Sequence, residues 1–105
     1  MIKNEINNIS FYTARNKIGE EVIVQIRACK IINNDVVYLD SFIKQNIPIL
    51  SSTLPKHISY EMLQFAPSSY VIAKEIVTFI EDTDISPDEK IIKFLSKNKI
   101  KLKNR

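Results

Sequence analysis

The sequence predicts an α+β fold: an N-terminal antiparallel β-meander of about three strands, followed by two or three C-terminal helices. Three observations carry this expectation. Apolar and β-branched runs before residue 40 alternate with period two and are separated by turn residues. After residue 55 the apolar spacing changes to the helical period. Ser86-Pro87-Asp88-Glu89 is a helix-start signature.

Ile9-Ser10-Phe11-Tyr12-Thr13 alternates and reads as the first strand. Asn16–Glu20 is a turn, with Gly19 free to take positive φ. Glu21–Ile32 is the strongest strand signal. Val22, Val24, Ile26 and Ala28 share one apolar face, expected toward the core; Ile23, Gln25, Arg27 and Cys29 share a mixed face. Asn33-Asn34-Asp35 is turn chemistry, and Val36–Leu39 returns as a third strand. Asp40 or Ser41 is expected to cap a short helical turn over Phe42–Gln45, ended by Pro48, with Ile49-Leu50 extended and Ser51–Thr53 a loop.

Pro55 suits a first helical turn, and Ile58, Met62 and Phe65 then fall on one face of a short helix closed by Pro67. Ser68 or Ser69 caps a longer helix over Tyr70–Glu81, with a stripe of Ile72, Ala73, Ile76, Phe79 and Ile80 and with Val77 beside it. Its β-branched content also suits a buried strand; the helical spacing and the serines favour the helix. The last helix begins at the Ser86–Glu89 capping box and runs to about Lys97, with Ile91, Ile92 and Leu95 inward and Phe94 alongside. Residues 1–97 thus read as one domain. Residues 98–105 read as a basic tail or a short edge strand in which Ile100 and Leu102 point inward.

With 105 residues, one domain is the expectation, and its 45% apolar content is enough for a core without disulfides or metal. One Cys and one His exclude a disulfide framework within the chain and a Cys/His zinc site. One Gly excludes the Gly-rich phosphate loops. The first residues lack a secretory h-region, no apolar run reaches membrane-spanning length, and Cys29 is unpaired; a cytoplasmic protein is expected, with no membrane partner. Ile (19), Lys (12) and Asn (9) are abundant, which suggests a low-GC genome or a mobile element.

Charge is split along the chain. Residues 1–89 carry 8 basic and 12 acidic side chains, a net of −4, whereas residues 90–105 carry seven basic side chains and no acid. An acidic stretch from Glu81 through Asp82, Asp84 and Asp88 to Glu89 precedes the basic end. Such asymmetry marks contact with a partner or with nucleic acid, or simply a solvated end.

The chemical readings fail one by one. Cys29 with His57 is the one nucleophile–base pair, and neither shows a partner in sequence. The segment from Asp82 resembles a calcium loop, but Pro87 replaces its glycine and Lys93 its final glutamate. In a helix–turn–helix, the recognition end would carry Asp88 and Glu89 toward phosphates. Phe11, Tyr12 and Tyr38 could stack bases, but no RNA-binding pattern accompanies them. No catalytic, cofactor or metal residue is therefore assigned. The expected function is that of a non-enzymatic, protein-binding accessory factor of the inhibitor, immunity or antitoxin kind. The alternative is nucleic-acid binding through the basic C-terminal segment. The expected contact residues are Glu81, Asp82, Asp84, Lys93, Lys97, Lys99, Lys101 and Lys103.

Overall fold

A computed structural model describes residues 5–81 and 89–101. The α+β expectation holds. Strands β1 (Glu5–Arg15), β2 (Glu21–Ile32) and β3 (Asp35–Phe42) form an antiparallel sheet in the order β1-β2-β3. A 3-10 turn (Ser51–Thr53) and helices α1 (Tyr60–Gln64), α2 (Ser69–Glu81) and α3 (Glu89–Lys97) follow.

Each hairpin turn has a local cause. In the first, the Asn16 side chain accepts from the amides of Ile18 and Glu20, and Gly19 takes φ 87°. In the second, Asn33 and Asn34 lie at φ 51° and 72°, and Ile32 pairs with Asp35 across a two-residue loop. Positive φ at both positions is the requirement of a type I′ turn, and asparagine tolerates it.

A bulge in β2 decides where the core sits. Tyr12 pairs with Gln25 and Thr13 with Ile23, which leaves Val24 without a partner on β1. An extra residue of this kind shifts the alternation of the strand that carries it. On one side of the sheet, Ile26 and Ala28 join Ile43 and the buried stripes of α2 and α3, with Phe11 and Ile23 packed against them. Val24 instead belongs to a smaller core with Ala14, Ile49, Ile58 and Leu63, against which Tyr12, Val22 and Phe42 pack. The expectation that Val22, Val24, Ile26 and Ala28 share one core is thereby corrected: the bulge divides them.

Helix α2 buries the expected stripe, Ile72, Ala73, Ile76, Phe79 and Ile80. Ser68 caps it by accepting from the Val71 amide. The buried Lys30, next after Ala28 on the core-facing side of β2, donates Nζ to the Phe79 carbonyl at 2.6 Å and lies over the Phe79 ring. Its charge thus meets the negative end of α2.

Three further expectations are corrected. Phe42–Gln45 is not a helical turn: β3 runs to Phe42, and the Ile43 amide continues the pairing by donating to the Val24 carbonyl. Four residues make too short a nucleus to compete with a ladder already in register. Helix α1 starts at Ser59, whose Oγ accepts from the Met62 amide, not at Pro55; it buries Leu63 while Met62 and Phe65 stay exposed, Phe65 at 90%. In α3 the inner face is Ile91, Phe94 and Leu95, and Ile92 is exposed. Ser86, Pro87 and Asp88 of the expected capping box lie outside the described residues, and α3 is described from Glu89.

The end of α3 is a Schellman cap. The Ile100 amide donates to the Leu95 carbonyl and the Lys99 amide to the Ser96 carbonyl, with Lys99 at φ 59°. Ile100 then packs on the larger core, the apolar contact such caps make. Residues 98–101 therefore close a helix and take no part in a strand; Leu102 and beyond lie outside the described residues.

Candidate functional site

A cleft of about 340 Å³ lies between α3, the base of the β1–β2 hairpin and the segment 43–47. Its three walls are fixed independently. Burial of Ile91, Phe94 and Leu95 turns α3 so that Lys90, Lys93 and Lys97, spaced i, i+3 and i+7, run along the cleft. Asn98 holds that helix end, donating Nδ2 to the Phe94 carbonyl and accepting from Ser69 Oγ of α2.

The second wall brings Lys44. The Lys44 amide donates to the Pro67 carbonyl, and Gln45 Nε2 donates to the carbonyls of Ile23 and Ile43. These bonds hold the segment in extended form against β2. The third wall is the hairpin base, where Asn16 Nδ2 donates to Glu20 Oε1 at 3.0 Å and Glu21 opens β2. Val22, Ile23, Ile43 and Phe94 supply an apolar floor.

The cleft therefore carries four ammonium groups, two carboxylates and an apolar base. Of the four lysines, only Lys93 has an ion pair among the described residues, with Glu89 at 3.6 Å. Both side chains are well exposed, so that pair contributes little. The lysines remain available to an outside anion. Because Glu20 and Glu21 lie on the hairpin side, the electrostatic character changes across the cleft.

The structure brings together only part of the expected contact set. Lys93 and Lys97 line the cleft. Lys99 sits at the left-handed position of the helix cap, and Lys101 is exposed just past it; neither lines the cleft. Glu81 is the exposed last residue of α2 and also lies apart from it. Asp82, Asp84 and Lys103 lie outside the described residues. Lys90 was legible from its spacing to Lys93 and Lys97. Lys44 had no local signal, because the lysines that share the cleft with it are 46 or more residues away in sequence.

Cys29 and His57 are not brought together. His57 Nε2 lies 2.7 Å from Gln25 Oε1, and its ring meets Tyr12 edge-on at 4.5 Å. Gln25 passes the connection on to Asp40, whose other carboxylate oxygen accepts from Arg27. Cys29 pairs with Tyr38, four residues further along β2, or roughly 13 Å. Among the described residues no three of His, Cys, Asp and Glu gather as metal ligands, and no helix is long and apolar enough to cross a membrane. Comparison with protein-family models, curated proteins and solved structures finds no match to this chain.

Proposed function

We propose that this chain is a non-enzymatic binding protein that holds an acidic, amphipathic segment of another protein in the lysine-lined cleft. One observation carries this reading: Lys44 joins Lys90, Lys93 and Lys97 around an apolar floor, although nothing in the core requires a lysine there. An ammonium rim attracts carboxylates, and Val22, Ile23, Ile43 and Phe94 give apolar side chains of the same segment a place to be desolvated. A bare phosphate chain is the poorer fit, because Glu20 and Glu21 oppose it on the hairpin side. A cytoplasmic setting goes with this reading, since Cys29 is a free thiol.

Affinity capture from extract of the native host tests it. The full chain is compared with a Lys44→Glu/Lys93→Glu variant; both positions are exposed, and circular dichroism checks that the fold is retained. A stoichiometric protein should be recovered with the native chain, survive nuclease treatment and be lost with the variant. Recovery of nucleic acid instead, or of the same protein with both chains, overturns the reading.

A further inference from the structure

We propose that β3 pairs antiparallel with β3 of a second copy of this chain, making one continuous six-stranded sheet across a two-fold axis. This goes beyond the cleft, which no residue of β3 lines. The starting point is the contrast between the two sheet edges. The outer edge of β1 is blunted. A bulge at Asn7 interrupts its pairing, and near its end Arg15 bonds Leu50 and Thr53 while Asn16 bridges to Ile49. β3 pairs with β2 without a break from Asp35 to Phe42, and among the described residues no strand lies on its other side.

Edges that must stay single carry lysine, proline, a bulge or a short strand. β3 has none of these. It is eight residues long, and its centre, Val36-Val37-Tyr38-Leu39, is uncharged. Val36, Val37 and Tyr38 are exposed at 49%, 38% and 74%. That is an apolar edge with open backbone groups.

The occupant follows from self-complementarity. With Val37 on the two-fold axis, Val36 of each copy faces Tyr38 of the other on one side of the sheet, a favourable β-branched–aromatic pair. Asp35 then faces Leu39, and no two like charges oppose each other directly. Asp40 is already held by Arg27 at 3.1 Å. On the other side of the sheet, Lys74 and Glu75 of α2 line a groove with Val37. A two-fold axis through Val37 gives each of them a potential partner of opposite sign in the second copy.

Sedimentation equilibrium of the full chain tests the pairing, with Tyr38→Lys as the edge variant and Lys93→Glu as the cleft control. A dimer is expected, weakened at least about tenfold by Tyr38→Lys, which places two lysines in the new ladder, and unchanged by Lys93→Glu. In a Cys29→Ala background, Val37→Cys should cross-link on mild oxidation, because directly opposed residues lie about 4.5–5.5 Å apart at Cα and a disulfide tolerates that span. A chain that stays monomeric to millimolar concentration overturns the proposal, including one that takes up a strand of a different protein. So does a dimer indifferent to Tyr38→Lys, or one in which Val37→Cys does not cross-link.

Discussion

Asn16 shows how one side chain can hold a whole wall of the cleft. It is 2% exposed; its Oδ1 takes two backbone amides and its Nδ2 reaches Glu20. Asn16→Ala removes all three bonds at once. The expected cost is about 1–3 kcal/mol in urea unfolding, with the hairpin at Gly19 loosened first. Lys99 is the opposite case. A non-glycine residue at φ 59° carries a steric penalty, so Lys99→Gly should raise stability by about 0.5–1 kcal/mol in the same experiment. The sequence named Gly19 as the left-handed position of the first turn, and the asparagines of the second were readable as turn chemistry. Lys99 was not readable, because lysine carries no preference for that conformation and the cap is set by Ile100 reaching the core.

Secondary structure was most legible where periodicity was long and burial one-sided. The twelve residues of β2 and the thirteen of α2 gave enough repeats to fix element type, and the buried stripe of α2 is the one its spacing predicts. Short elements were not legible. Helix α1 has five residues, and the choice between a face with Met62 and Phe65 and one with Leu63 depends on where the helix starts. Ser59, not Pro55, sets that start, which rotates the face. The correction has a measurable consequence: Leu63→Ala should cost about 2–4 kcal/mol, while Phe65→Ala should stay within about 0.5 kcal/mol, compared by thermal or urea unfolding. The sequence's own reading of the face would require a large cost for Phe65→Ala. At the same scale, Phe42–Gln45 was misread because pairing between distant strands is invisible to local helix signals.

For the molecule as a whole, the described residues span 48 × 27 × 20 Å, a long body with two apolar cores. The fold class was readable because each half of the chain has its own period. The division into two cores was not, because it depends on a pairing between β1 and β2 that skips Val24. The candidate site was half readable for the same reason: the lysines of α3 lie close in sequence, and Lys44 comes from the other half of the chain. Since β2 contributes to both cores without a break, the body should unfold as one unit. Tyrosine absorbance, which reports Tyr12 and Tyr60 beside the smaller core, and helical ellipticity, which is dominated by α2 and α3, should give the same urea midpoint. Separate midpoints would show that the cores melt independently.

Val24, which has no partner on β1, also makes β2 unequally tolerant of length changes. Loss of a single codon at this position removes one side chain from the smaller core and the carbonyl that accepts from the Ile43 amide, but leaves Ile23 opposite Thr13 and Gln25 opposite Tyr12, so the register along β1 is kept. Loss of a codon at Ala28 has a different result, because the residues on one side of the gap must exchange sides or slide past their partners. Val24 is fully buried, yet as the extra residue opposite β1 it works as slack in the weave, and in-frame deletions between Glu21 and Ile32 should survive there before they survive elsewhere.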